Sequence, residues 1–415
     1  MDAPVKSGAG AKLAFPELVA ITAAVMALNA LAIDMMLPAL GKIGDDLGAT
    51  RDNDRQLVIV VYILGNGVAQ LLFGPLVDRY GRKRVLMWAL AGYVTGSFLS
   101  VVASSFSLLL AARAFQGVTT AAARVAAIAV VRDQCSGRKM AQVMSLAITI
   151  FMAAPILAPG FGQLILFAGP WRAIFLALLM YGLVLAVWLG WRLPETLRPE
   201  NRKPLRRGPI IAAYKEFLFH RVACGYTVAS ALCFAALFGY ISASEQIFLE
   251  TFEIGQGFAL AFAAIAAALG AATLTNARLV ARFGMRRLTH GALVVFIIAN
   301  ILHLAIVAAM GETFTLFMGF MAISFFCLGL IGPNSGALAM QPMGHIAGSA
   351  AAANGFAGTT IAGFLGGVVA QFYDGTTTPI VLGFAVLGMA AFAVVLWTEK
   401  GQLFQVSPPE GEDDE

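Results

Sequence analysis

Charge is what this sequence has least of. Only 12% of its 415 residues are Asp, Glu, Lys or Arg, against about a quarter in soluble domains. That scarcity, with 59% hydrophobic residues and a mean hydropathy of +0.81, excludes a soluble protein, which could not hide so much apolar surface. Cysteine is also sparse. Cys135, Cys224, Cys233 and Cys327 are scattered without metal-ligand spacing, so neither a metal centre nor a disulfide framework is expected. There is no His-Glu-x-x-His, no Gly-x-Ser-x-Gly and no phosphate-binding loop of the Walker type. An enzyme is therefore not expected, and any transport energy must come from an ion or substrate gradient rather than ATP.

Apolar runs of helical length fill the chain instead, near 17–39, 56–77, 85–104, 106–131, 140–168 and 171–191, then 222–248, 257–280, 288–310, 313–340, 347–372 and 379–398. Each is long enough for the roughly 20 residues a membrane span requires. The N-terminal stretch Met1–Lys12 is polar and offers no small-residue cleavage site, so the first run reads as a retained span. The expected fold class is an all-α membrane protein of twelve transmembrane helices. Its organisation is a tail (1–16), a six-helix bundle (17–191), a basic linker (192–221), a second six-helix bundle (222–398) and an acidic tail (399–415). The linker stands out through Pro194, Pro199, Pro204 and Pro209 and eight basic residues.

Basic residues distribute unevenly between alternate loops. With the N-terminus inside, 22 fall on the inner side and only Lys42, Arg51, Arg55 and Arg172 outside, while Arg113 and Arg124 lie within the fourth span. The positive-inside rule then places both termini in the cytoplasm. The same loops account for the basic pI of about 9.1, so nucleic acid is not an expected partner. The lipid bilayer is.

An internal repeat supports two pseudo-symmetric halves. Gly74-Pro-Leu-Val-Asp78-Arg79-Tyr-Gly81-Arg82-Lys83-Arg84 follows the second span, and Ala277-Arg-Leu-Val-Ala281-Arg282-Phe-Gly284-Met-Arg286-Arg287 follows the eighth. The segments align without gaps at an offset of 203 residues. Such repetition predicts a ligand site between the halves near the bilayer midplane.

The loop Gly74 to Arg84 resembles the signature of the major facilitator superfamily. Leu31-Ala-Ile-Asp34-Met-Met-Leu-Pro38, Tyr62-Ile-Leu-Gly65 with Gln70, Arg113-Ala-Phe-Gln116-Gly117 and Ala154-Pro155-Ile-Leu-Ala158-Pro159 resemble its twelve-helix drug–proton antiporter branch. With Asn334 and His345-Ile-Ala-Gly348-Ser349, the chain is most similar to the Bcr/CflA drug-efflux group. The resemblance implies an inner-membrane exporter of small organic molecules such as antibiotics. It would work by alternating access, as a monomer, with protons as the second partner and the proton gradient in place of a cofactor. The rival readings are a uniporter or importer of a metabolite, and a polytopic sensor that binds without transporting.

Charges inside spans are costly and mark candidate sites. Asp34 and Arg113 sit at similar depths and are the candidates for proton coupling, with a structural ion pair as the bland alternative. Arg113, Gly117, Thr120 and Arg124 share one helical stripe with Gln116 adjoining, which predicts that the fourth span borders a cavity. There, Arg124 would meet an electron-rich substrate group or else a structural partner. Asn29, Phe234, Phe238 and Asn334 are further cavity candidates, set against ordinary packing. Glu245 has no assigned role, and His303 reads as structural. Asp78, Arg79, Gly81 and Arg82 are gating candidates. The resemblance implies that Asp78 faces the start of the eleventh span, whereas topogenesis alone could explain the basic residues. Pro155 and Pro159 are expected to interrupt the fifth span and seal the halves, with Gly358, Gly363, Gly366 and Gly367 of the eleventh as counterpart surface.

Overall fold

The computed structural model describes residues 13–202, 205 and 207–405. Lys6, Lys12, Lys203 and Arg206 of the charge count, and the acidic end 406–415, lie outside the described residues. Twelve long helices carry the apolar runs: α1 (Phe15–Asp34), α3 (Leu57–Tyr80), α4 (Arg82–Val101), α5 (Phe106–Gln134), α6 (Gly137–Ala168) and α7 (Arg172–Arg192), then α9 (Arg221–Gln246), α10 (Phe258–Phe283), α11 (Met285–Met310), α12 (Phe314–Met340), α13 (Ala347–Gln371) and α14 (Thr378–Thr398). Short helices α2 (Leu40–Leu47) and α8 (Arg207–Phe219) fill two connections. By length and hydropathy there are eleven apolar runs among the described residues, one of them the 58-residue stretch Phe314–Gln371. That stretch is α12 and α13 joined through a 3₁₀ turn whose Met343 leaves helical geometry (φ −106°, ψ 17°), which brings the count to twelve.

A bilayer offers backbone groups no water, so helices that satisfy themselves are the solution for these runs. Large side chains such as Leu164, Val187 and Leu274, at 63%, 69% and 68% exposure, point outward to where lipid would lie. The interior contacts lean on small residues instead. Gly117 of α5 lies so close to α3 that a Cβ would overlap the Tyr62 carbonyl, and Gly162 of α6 meets the Met35 carbonyl in the same way. Such approaches replace the hydrophobic drive that lipid removes.

The repeat is visible as geometry. Gly81 (φ 105°) separates α3 from α4, and Gly284 (φ 77°), its equivalent, separates α10 from α11. Positive φ is the reason glycine stands at both breaks. Ser105 and Thr313 cap α5 and α12 alike, each accepting a hydrogen bond from the N–H three residues on. The N-terminal six helices meet the C-terminal six mainly where α3 packs on α13 and α6 on α10.

Three sequence expectations are corrected. The first span is helical only to Asp34 rather than to residue 39, and a 3₁₀ turn at Leu37–Ala39 leads into α2. Pro155 and Pro159 do not interrupt the fifth span. The 32 residues of α6 run through both, as membrane helices can when neighbours compensate for a proline's lost hydrogen bond. The glycines of α13 do not answer α6. Gly363 and Gly367 admit Ile63 and Val60 of α3, and Gly366 admits α9 at Ala235 and Phe238. The linker carries a helix of its own, the thirteen residues of α8.

Candidate functional site

The first site is built where α1 ends. The last carbonyls of a helix lack intrahelical donors and form its negative end. Arg113 of α5 answers this need with Nη2, which donates to the Ala32 carbonyl at 2.8 Å, while its Nε donates to the Val58 carbonyl in the first turn of α3 at 3.2 Å. Nη1 donates to Gln116 Oε1 at 2.5 Å, and Gln116 Nε2 donates in turn to Ser97 Oγ at 2.8 Å. The guanidinium also lies 4.4 Å from the Tyr62 ring centroid, a contact worth about 2 kcal/mol when desolvated. Arg113 is fully buried and every one of its nitrogens has a partner.

Asp34, the last residue of α1, is 4% exposed. Tyr62 is within electrostatic range of both Asp34 and Arg113, but Arg113 spends its donors on carbonyls and Gln116 rather than on the carboxylate. The direct ion pair weighed from the sequence is therefore not formed. Asp34 stands as a buried acid without a hydrogen bond or ion pair among the described residues.

The stripe on α5 divides. Gln116 is buried toward α4, Gly117 is pressed on α3, and Thr120, 1% exposed, returns its hydroxyl to the Gln116 carbonyl. These three pack inside the N-terminal bundle and do not line a cavity, because Gly117 lets α3 close over them. Arg124 alone is exposed. Along the neighbouring face of α3 runs a chain of polar contacts. Tyr62 and Asn66 donate to Asn29 Oδ1 at 3.1 and 3.4 Å, and Gln70 Nε2 donates to Asn66 Oδ1 (3.2 Å) and to Thr359 Oγ1 of α13 (3.1 Å). That last bond joins the two halves mid-molecule.

In the second half, Phe234 abuts Gly332 of α12 while Phe238 abuts Gly366 of α13, so the aromatic pair fills helix contacts and is only partly exposed. Asn334 does not face open space either. Its amide donates to Asn276 Oδ1 and to the Leu330 carbonyl, both at 2.8 Å, tying α12 to α10. His303 lies 3.1 Å from Glu312, which also accepts from Thr377.

The gating candidates sit on the face that carries the basic loops. Asp78 accepts Arg82 at 3.2 Å and lies 3.9 Å from Arg132, while Arg82 Nε reaches Asp133 at 2.7 Å. Glu195, after α7, accepts the Arg82 backbone N–H at 2.8 Å and crowds Gly81, and Arg79 is exposed. Arg132 and Asp133 belong to the N-terminal half, and Glu195 to the linker that follows it. Pro155 and Pro159 lie on α6, which packs against α1 and α10, and Pro159 is buried there.

A second cluster, missed by the sequence reading, closes the opposite face across the halves. Glu245 of α9 accepts the Gly41 N–H at 3.2 Å and lies 3.4 Å from Arg55, which also pairs with Glu250. Gln56 donates to Gln246 Oε1 at 2.6 Å, and Asn53 donates to the carbonyls of Gln371 and Tyr373 at 3.0 and 2.8 Å. A signal existed: Arg55 is one of only four basic residues on the side that the charge count leaves nearly bare.

Comparison with known proteins agrees with this architecture. Residues 22–367 match the family profile described as Major Facilitator Superfamily. The chain is 29% identical over 378 residues to an uncharacterized MFS-type transporter, YdgK, of Bacillus subtilis, covering 88% of this chain and 92% of that one. It is 26% identical to a bicyclomycin resistance protein homolog of Haemophilus influenzae, covering 84% and 87%. To the multidrug resistance protein MdtL of Klebsiella pneumoniae it is 29% identical, covering 68% and 71%. The solved structure of the human organic anion transporter MFSD10 superposes with a TM-score of 0.69 at 16% identity, over 92% of this chain and all of that one, a likeness of fold.

Proposed function

The chain belongs to the major facilitator superfamily, and from that premise we propose that this membrane transporter is a proton-coupled exporter of small organic molecules. The observation that carries the reading is Asp34, a carboxylate buried at the broken end of α1 with no ion-pair partner among the described residues. Buried charges of this kind are expensive unless they do work. A proton can neutralise Asp34 while Arg113 stays held by carbonyls a turn away, so the two groups keep their places as the charge changes.

In this reading the basic face is cytoplasmic and the cluster around Arg55 and Glu245 is the closed outer seal. Substrate enters from the cytoplasm, the halves rock, and a proton taken by Asp34 from outside favours substrate departure. The two ligands thus oppose one another through one conformational equilibrium. The names of the bicyclomycin resistance homolog and of MdtL support antibiotics as cargo.

Purified protein in proteoliposomes should drive uptake or efflux of bicyclomycin, or of another member of a panel of antibiotics, amino acids and organic anions, when an inward or outward pH gradient is imposed. Asp34→Asn should fold normally and exchange substrate downhill, but should lose accumulation against a gradient. Accumulation retained in that variant would remove Asp34 from coupling. Transport indifferent to the pH gradient in the unaltered protein would favour a uniporter.

A further inference from the structure

The polar stripe of α5 ends in a residue that the mechanism above does not use. Leu108 and Phe115 of α5 are 39% and 43% exposed and mark its lipid-facing side. Arg124 follows Phe115 by nine residues, half a turn away at 100° per residue, so it points away from lipid. It is nevertheless exposed. Exposure on an inward-facing side means that solvent reaches it through an opening inside the molecule.

Its depth follows from packing. Helices α3 and α5 run side by side, with Val58 against Arg113 and Tyr62 against Gly117. Continuing that register places Arg124 level with Gln70, where Gln70 bonds Thr359 and the halves touch. It lies about 15 Å from the end of α5 at Gln134, taking 1.5 Å per residue. Arg113, sixteen ångströms or so farther along the same stripe, has every donor satisfied. Arg124 forms no hydrogen bond or ion pair with the described residues.

We infer that Arg124 is the recognition residue for an anionic group, a carboxylate or similar planar oxyanion, on substrates that arrive from the basic face. A guanidinium offers two parallel donors matched to such a group, and a cleft with one sign of charge concentrates the opposite sign. The amide of Gln70 and the hydroxyl of Thr359 stand at the same level, with the amide of Asn66 one turn farther along α3, to receive the rest of a polar ligand. The inference rests on the transporter reading, from which it takes the direction of arrival.

Two measurements test it, one independent of transport. In a protein cleared of native cysteines, a cysteine at Ile128, one turn from Arg124, is reacted with negatively and positively charged methanethiosulfonates. The negative reagent should be favoured, and Arg124→Gln should reduce that preference at least about tenfold, whereas Arg124→Lys should preserve most of it. An unchanged ratio would overturn the inference. In the second measurement, aromatic monocarboxylates and their matched primary amides are assayed for binding and for proton-driven transport. Arg124→Gln should weaken the acids about tenfold, or 1.4 kcal/mol, and the amides less than about twofold, with Arg124→Lys intermediate because it keeps charge but loses the fork. Equal loss for acids and amides would show a structural residue and overturn the proposal. Proton-driven transport of amides with no dependence of acids on Arg124 would also overturn it while leaving the exporter intact. If nothing in the panel moves, the exporter reading fails, and the reagent ratio still decides the fate of Arg124.

Discussion

The two faces of the molecule are held together in different ways. On the basic face two groups of polar contacts each lie within one half, while the linker helix α8 touches both, through Tyr214 to the Leu71 carbonyl and Glu216 to His345. Asp78, Arg82, Arg132 and Asp133 bind one another in the first half, and Arg286, Tyr226 and Glu399 do so in the second, at 3.1 Å for Arg286–Glu399 and 2.6 Å for Tyr226–Glu399. On the opposite face the bonds cross. Arg55 meets Glu245 and Glu250, Gln56 meets Gln246, Asn53 reaches Gln371 and Tyr373, and Gln163 reaches the Gln256 carbonyl at 3.1 Å. Bonds within a half move with it as a rigid body and oppose no rocking motion. Bonds between halves must break before the faces part. The structure is therefore closed on the side opposite its basic loops, and the polar groups that must separate are named.

The largest effect should come from the crossing pair. Arg55 and Glu245 side chains are 12% and 7% exposed, and removing one partner of a buried pair typically costs about 3–5 kcal/mol. Glu245→Ala should therefore raise labelling of a cysteine placed at Phe238, by an impermeant maleimide added to the opposite face, at least about tenfold. Glu245→Gln can still accept from Gly41 and should do less. If labelling stays slow in both, the seal resides in the apolar packing of α3 on α13 and the polar bonds are incidental.

That packing gives an intermediate effect. A Cβ on Gly363 would stand 2.6 Å from Ile63 Cγ2, and one on Gly367 2.7 Å from Val60 Cγ1. Gly363→Val overpacks the contact, a change that typically costs about 1–3 kcal/mol. It should lower the unfolding temperature in detergent and raise opposite-face labelling together. A lower unfolding temperature with unchanged labelling would make this contact a constant of both conformations instead of part of the seal.

The smallest effect belongs to the basic face. Asp78 is 26% exposed and Arg82 keeps Asp133 when Asp78 is neutralised, so Asp78→Asn should cost no more than about 1 kcal/mol. Its proposed gating role is separable from stability: accessibility of basic-face cysteines should rise a few-fold if Asp78 also holds that face shut in the alternate conformation. Unchanged accessibility would confine it to its own half.

Much of this protein was legible as a string of residues because the controlling physics is local. A bilayer reads hydropathy over about twenty residues and basic charge loop by loop, so the spans, the two halves and the repeat at Gly81 and Gly284 could be recognised without a contact map. Partnership could not. Arg113 and Arg124 share a stripe and a chemistry, yet Arg113 is consumed by the Ala32 and Val58 carbonyls and by Gln116, while Arg124 stands exposed between buried neighbours on the same helix. Asn334 and Gln116 looked like cavity residues and proved to be ties between neighbours. Glu245 had no meaning until Arg55, 190 residues earlier in the chain, was folded against it. Helix formation depends on neighbours within a turn, whereas the fate of a buried charge depends on which distant backbone and side-chain dipoles arrive beside it, and only the tertiary structure decides that.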